Sequence, residues 1–241
     1  MKTKSIFCLS ALLFILSVPL SAQTRVKVSI LGDSYSTFYG YVTPASNLCW
    51  YGVPGEKKEN DVLRVEDTWW HRLAAAQGWE IERNNSYSGS TVCNTGYDKA
   101  DYSDRSFVTR MDSLGSPDII LIFGGTNDSW AGVPIGRYQY AHWAKANLYS
   151  FRPAFCHLLD YVTRYYPNAR VFNITNTELS PEITESMAEI CRYFRVVNIR
   201  LKDIDKQWGH PSVKGMESIA YQVGKAVRRM ERSLEKVSRK R

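Results

Sequence analysis

Residues Ile119–Phe123 read Ile-Ile-Leu-Ile-Phe without a polar interruption and run straight into Gly124-Gly125. A run this short and this apolar predicts a strand with neither face in water, which calls for a parallel sheet covered by helices on both sides. The surrounding segments agree. Val26–Leu31 is a β-rich run closed by Gly32, and Glu80–Arg83, Val171–Ile174 and a stretch near Val196–Ile199 are further short strands. Helical patterns lie between them. Thr68–Gln77 is closed by Gly78, Phe151–Tyr166 carries an apolar stripe, and a third helix turns Ile183, Met187, Ile190, Cys191 and Phe194 to one side. A last helix follows Ser212, a predicted N-cap. Strands alternating with helices predict a single α/β domain, a three-layer α/β/α sandwich on a mostly parallel five-stranded sheet.

The start of the chain follows another rule. Lys2 and Lys4 precede the apolar run Ile6–Leu20, broken only by Ser10, Ser17 and Pro19, and the small residues Ser21 and Ala22 follow. This is the layout of a secretory signal cleaved after Ala22, because the run is shorter than the ~20 residues a membrane span needs. Residues 1–22 are therefore read as a signal peptide and 23–241 as the working domain, exported to the periplasm or secreted, with no transmembrane anchor left. Cleavage would leave 219 of the 241 residues and lower the net charge from +7 to +5, since Lys2 and Lys4 depart. The remaining excess gathers in the last helix and a basic tail, 236–241. Cations there suit the helix dipole, so the charge does not call for nucleic acid. Export would leave Cys49, Cys93, Cys156 and Cys191, which allow three pairings and match no zinc spacing. A Cys49–Cys93 bridge is one reading; a buried thiol is the reading for Cys191.

In an open α/β sheet, ligands bind beyond the carboxyl ends of the strands. Four polar blocks stand at such ends. The first strand exits into Gly32-Asp33-Ser34-Tyr35-Ser36, where a serine can present its hydroxyl and N–H together. The second exits into Asn84-Asn85-Ser86-Tyr87-Ser88-Gly89-Ser90-Thr91, and Gly89 can expose an N–H that no side chain shields. The third meets Gly124-Gly125-Thr126-Asn127-Asp128, where Asn127 can turn an amide across the strand ends. The fourth, Trp208-Gly209-His210-Pro211-Ser212, places His210 before a proline and so in extended backbone rather than on a helix face. Each block alone reads equally well as ordinary turn or cap chemistry.

Taken together and in this order, the blocks resemble the SGNH (GDSL-type) hydrolase family across roughly residues 26–225. The resemblance implies a flavodoxin-like sheet and a serine ester hydrolase. It makes Ser34 the nucleophile and His210 the general base, with an oxyanion hole of the Ser34 N–H, the Gly89 N–H and the Asn127 amide. One position departs from the family. Three residues before the histidine, where the family usually has aspartate, this chain has Gln207. Three groups could orient His210: Gln207 itself, one of Asp203 and Asp205, or a backbone carbonyl. Asp205 is the carboxylate named for the role.

Two connections, 35–67 and 129–149, are too long for plain crossovers, and loops of that length usually wall a site. They carry Tyr39, Tyr41, Trp50, Tyr51, Trp130, Tyr138, Tyr140 and Trp143. Aromatic rings can stack on the apolar faces of sugars, although they also pack loops down. The expected activity is hydrolysis of acyl esters, acetyl foremost, on carbohydrates, needing no metal or organic cofactor. A lipid-directed esterase or thioesterase is the alternative enzyme, and a non-catalytic carbohydrate-binding protein the alternative from another class.

Overall fold

The computed structural model describes residues 25–56 and 59–238. The predicted signal, 1–22, and positions 239–241 of the basic tail therefore lie outside the described residues. Five strands form one sheet: β1 (Lys27–Gly32), β2 (Glu80–Ser86), β3 (Ile119–Phe123), β4 (Arg170–Thr175) and β5 (Val197–Arg200). All pair in parallel, in the order β2-β1-β3-β4-β5. This is the flavodoxin-like arrangement, with its reversal point between β1 and β3.

Strand β3 is buried at every position, and its side chains alternate between two cores. Ile119, Leu121 and Phe123 pack with Trp69, Trp70 and Leu73 of α1 (Trp69–Gln77), and with Met216, Ile219, Val223 and Val227 of the last helix. Ile120 and Ile122 point the other way, into a core that α2 (Phe107–Arg110), α4 (Phe151–Tyr165) and α5 (Pro181–Tyr193) complete. The three-layer sandwich expected from the sequence is thus present. Thr68, read from the sequence as the first helical residue, is instead the N-cap of α1, its Oγ1 accepting from the His71 N–H at 3.4 Å, and Gly78 closes the helix in the left-handed region at φ 68°.

Three features depart from the sequence reading. Strand β2 continues to Ser86, because Asn84, Asn85 and Ser86 find hydrogen-bonding partners in the interior. The Thr126–Ala131 segment, expected as turn, is a short helix, α3. All four cysteines from Cys49 onward are free thiols, so no Cys49–Cys93 bridge forms. Among the described residues, no helix is long and apolar enough to cross a membrane.

The last helix, α6 (Val213–Ser238), starts beside the fourth polar block. Ser212 caps it, its Oγ accepting from the Gly215 N–H at 3.1 Å while its hydroxyl donates to the Asp205 carboxylate. Gly215 packs directly under the Asp205 carbonyl oxygen, and a Cβ there would lie inside contact distance of that backbone atom. Gly215→Ala should therefore destabilise the protein by ~1–3 kcal/mol through overpacking. Urea unfolding should show a lower midpoint at an unchanged denaturant slope.

Candidate active site

Strand β1 ends at Gly32, and the chain turns at once into a single 3₁₀ turn, Ser34–Ser36. The Asp33 carboxylate starts that turn by accepting the Tyr35 N–H at 3.0 Å. Thr37 closes it, with its N–H at 3.3 Å and its Oγ1 at 3.0 Å from the Ser34 carbonyl oxygen. The turn is tied to the rest of the fold by Asn84 Nδ2, which donates to the Ser36 carbonyl at 2.8 Å, and by the Trp69 indole N–H on Ser36 Oγ at 3.2 Å. Ser34 consequently has a fixed backbone and is only 4% exposed.

His210 reaches the serine from the opposite end of the chain. Lys206–Gln207 and His210–Pro211 pair as a tiny antiparallel hairpin, β6 and β7. Its two central residues, Trp208 (φ 51°) and Gly209 (φ 72°), both have positive φ, as a primed hairpin turn requires. His210 Nε2 lies 2.9 Å from Ser34 Oγ, and Nδ1 lies 3.1 Å from the Trp208 carbonyl oxygen. With Nδ1 protonated toward that carbonyl, Nε2 offers its lone pair to the serine hydroxyl. Of the three groups that could orient the imidazole, the backbone carbonyl of Trp208 lies at Nδ1 among the described residues.

The carboxylate named for that role sits elsewhere. Asp205 receives the Ser212 hydroxyl and so belongs to the helix cap. The Gln207 side chain also faces away, its Oε1 accepting from the Asp61 N–H at 2.9 Å. Asp203, at φ 52°, lines a cavity at the ends of β4 and β5 with Glu178 and Lys202. The hairpin is held by other means. Tyr35 Oη donates to the Gly209 carbonyl, and Tyr51 Oη to the Pro211 carbonyl at 2.9 Å. Asn60 Nδ2 reaches the same Pro211 carbonyl at 3.2 Å.

Aromatic rings enclose the imidazole. Trp50 stacks on it with ring centroids 3.6 Å apart and planes 4° from parallel, and Trp130 meets it edge-on at 6.0 Å. Of the eight loop aromatics singled out in the sequence, Trp50, Tyr51 and Trp130 contact His210. Tyr41 packs instead on Phe38 and Trp70, while Tyr140 stacks on Tyr193 and Trp143 packs at a tilt against His157. Trp208, 72% exposed at the turn itself, carried no such expectation.

The other groups named for the site follow the ends of β2 and β3. Gly89 sits at φ 80°, a conformation only glycine adopts freely, and its neighbours are held by Ser88 N–H on the Leu48 carbonyl and Ser90 N–H on the Tyr87 carbonyl. Among the described residues, the N–H groups of Ser34 and Gly89 donate to no backbone carbonyl. Asn127, buried in the first turn of α3, gives one Nδ2 hydrogen to the Ser90 carbonyl at 2.9 Å. Its Oδ1 accepts the Tyr97 hydroxyl at 2.8 Å, which fixes the amide orientation and leaves the second Nδ2 hydrogen for a ligand. Nothing in the sequence marked Tyr97.

Beneath these donors lies a buried polar layer. Asp128 accepts from the N–H groups of Val92 at 2.8 Å and Cys93 at 3.2 Å, joining the third block to the second. Burial pushes its carboxyl up to about 6, against those hydrogen bonds. Burial pushes Asp33 further, to about 7, although the Tyr35 N–H pulls the other way. Arg110, on α2, is dragged down to about 9 by burial, with Asp33 opposing the fall. Among the described residues, no group of three or more His, Cys, Asp or Glu is arranged to hold a metal ion.

A serine hydroxyl on an imidazole, with amide donors preorganised nearby, is an arrangement suited to acyl transfer. The comparisons with known proteins assign the class. The family model for GDSL-like lipase/acylhydrolase matches residues 26–227, and the chain belongs to that family, a hydrolase. Among solved structures, a candidate GDSL-like lipase from Bacteroides uniformis is 71% identical, with a TM-score of 0.84 over 85% of this chain and 96% of that one. Another, from Bacteroides ovatus, is 50% identical, with a TM-score of 0.84 over 86% and 100% of the two chains. An active-site mutant of a family two carbohydrate esterase from Clostridium thermocellum shares the fold at 17% identity, with a TM-score of 0.54 over 85% and 63%. No curated protein is a significant match to this chain.

The raised carboxyl of Asp33 has a signed consequence. A carboxyl whose folded value, about 7, exceeds its ordinary 3.8 binds more protons folded than unfolded between those limits, so its contribution to stability falls as pH rises through that window. Asp33→Asn keeps an acceptor for the Tyr35 N–H and removes the titration. Its stability relative to the parent should rise between about pH 4 and pH 7 and level off above, measured by chemical unfolding across pH.

Proposed function

We propose that this protein is an exported serine esterase that removes small acyl groups, acetyl foremost, from carbohydrates. The observation that carries the reading is the 2.9 Å contact between Ser34 Oγ and His210 Nε2 at the carboxyl end of β1. In the reaction, the Ser34 hydroxyl gives its proton to His210 Nε2 as Oγ attacks the ester carbonyl carbon. The carbonyl oxygen becomes an oxyanion received by the N–H groups of Ser34 and Gly89 and by Asn127 Nδ2. Collapse expels the sugar oxygen, which takes its proton from His210 and leaves an acyl-serine. Water, activated by the same imidazole, then releases the acid and restores Ser34.

A carbonyl as the third partner keeps the histidine tautomer correct but stabilises the imidazolium less than a carboxylate would. The Trp50 face, 3.6 Å away and parallel, supplies part of the difference, since a ring face attracts a cation. Burial of the pair supports a small acyl group. Ser34 is 4% and His210 5% exposed beneath Trp50 and Trp130, which leaves room for a short acyl group more readily than for a fatty chain. The carbohydrate portion of the reading rests on the exposed indoles at the rim, Trp130 at 47% and Trp208 at 72%, whose amphipathic rings match the apolar faces of sugars. Export rests on the signal pattern of residues 1–22.

Purified protein should release acetate from acetylated polysaccharides and lose rate steeply on p-nitrophenyl esters as the acyl chain lengthens. Ser34→Ala should abolish both activities and labelling by a fluorophosphonate. Activity on p-nitrophenyl acetate without acetate release from any acetylated glycan would overturn the sugar assignment. Preference for acyl chains of about eight carbons or more would replace it with a lipid-directed enzyme.

The Trp208 carbonyl makes a separate prediction. Asp203→Asn, Asp205→Asn and Gln207→Ala should each retain ester turnover within about tenfold of the parent, far from the ~10⁴-fold loss that follows removal of a working triad aspartate's charge. A larger loss in one of them, at unchanged thermal stability, would name that side chain as the partner.

A further inference from the structure

Arg110 is a buried cation for which the chemistry above has no use. It ends the short helix α2 and is 7% exposed. Among the described residues, none of its hydrogen-bond partners is a carboxylate. Nη2 donates to the Gly32 carbonyl at 3.1 Å and to Ser90 Oγ at 2.9 Å. Nη1 donates to the Asn85 carbonyl and, at 3.3 Å, to Asn85 Oδ1. Nε donates to the Arg105 carbonyl at 2.8 Å. The Phe107 ring packs 4.9 Å from the guanidinium carbon.

The position of these partners in the chain is what matters. Gly32 is two residues before Ser34, Ser90 is the residue after Gly89, and Asn85 is in the last turnout of β2. One Nη2 therefore bridges the segment that carries the serine N–H and the segment that carries the Gly89 N–H. Those segments leave different strands, and among the described residues the Gly89 N–H donates to no backbone carbonyl. A planar fork with five N–H donors in fixed directions can hold both at one separation, whereas an ammonium on a flexible stem cannot. Burying a guanidinium that hydrogen-bonds to carbonyls and a hydroxyl, with the Asp33 carboxyl near enough to act on it but not bonded to it, is costly, so the geometry it enforces is where its value lies.

We infer that Arg110 is a positioning residue that sets the separation between the Ser34 and Gly89 N–H groups of the oxyanion hole. The inference rests on the serine esterase reading above. It acts through the backbone of the two loops and touches no substrate. Ser90 has a double part, since its Oγ receives Arg110 while its carbonyl receives Asn127 Nδ2, so all three donors are referenced to one short segment.

The test is a kinetic cycle on short p-nitrophenyl esters with Arg110→Lys, Ser90→Ala and the double variant, each with its thermal unfolding curve. Arg110→Lys keeps the charge and loses the fork. A displaced donor should lower kcat by about 10²-fold while KM stays within about threefold, because the interaction is made with the tetrahedral intermediate. Ser90→Ala should lower kcat by about threefold to tenfold, and adding it to Arg110→Lys should cost nothing further, as expected for partners in one linkage. Affinity for a short alkylboronic acid, which forms a tetrahedral adduct on the serine, should fall in step with kcat/KM; a merely structural role would leave the folded fraction's affinity unchanged. A folded Arg110→Lys with kcat within threefold of the parent overturns the inference. If that variant does not fold, Ser90→Ala decides alone, and an unchanged kcat overturns it. A parent protein inert toward all esters, or equally active as Ser34→Ala, overturns the serine reading and this inference with it.

Discussion

The strand β3 has no solvent face, and most of the molecule follows from that. Ile119, Leu121 and Phe123 belong to one core and Ile120 and Ile122 to the other, so a slip of one residue would exchange every side chain between two differently shaped interiors. The register of β1 and β4 on either side is locked for the same reason. Because all five strands run one way, their carboxyl ends collect at a single edge. The connections leave β1 and β3 toward opposite faces, which opens a crevice between Gly32 and Phe123. Ser34 and Asn127 stand at its two sides.

The floor of that crevice is a buried polar layer. Asp33, Asp128 and Arg110 are all withdrawn from solvent, and burial is the leading cause of the displacement of each from its ordinary titration range. They persist because main-chain amides and carbonyls solvate them: two N–H groups on Asp128, one on Asp33, and carbonyls of Gly32, Asn85 and Arg105 on Arg110. The same contacts join loops that leave different strands. Solvation of buried charge and alignment of the strand-end loops are therefore one set of hydrogen bonds, and neither can be altered without the other.

The histidine is held by an unusual economy of parts. A two-residue hairpin turn with both central φ values positive folds the Trp208 carbonyl back beneath the imidazole of the residue two places on. The turn is anchored from outside by Tyr35, Tyr51 and Asn60, each donating to a carbonyl of the hairpin region. Asp205 accepts the Ser212 hydroxyl at the start of α6 and so stiffens the segment that carries the hairpin into the helix. The stack of Trp50 restricts the ring's tilt and excludes water from one of its faces.

The strands, the long helices and the four polar blocks were legible in the amino-acid order, because hydrophobic period and strand-end chemistry are local properties. Ile119–Phe123 is the same segment in sequence and structure, Ser212 starts a helix with its capping hydroxyl, and Gly78 stops one where a positive φ is needed. Short helices such as Thr126–Ala131 were not legible, since six residues cannot display a period and their stability comes from what they pack against. The partner of His210 and the placement of the loop aromatics were not legible either. Sequence could name Gln207, Asp203, Asp205 or a carbonyl, but only the sign of φ at Trp208 and Gly209 decides which oxygen meets Nδ1. Tyr97 and Arg110 carried no motif at all, because their roles exist only in contacts with residues 30 and 78 positions away. The sequence alone determined that this chain would form a parallel sheet with chemistry at its strand ends; the tertiary structure decided which groups meet there, because those meetings are between segments that the chain order keeps far apart.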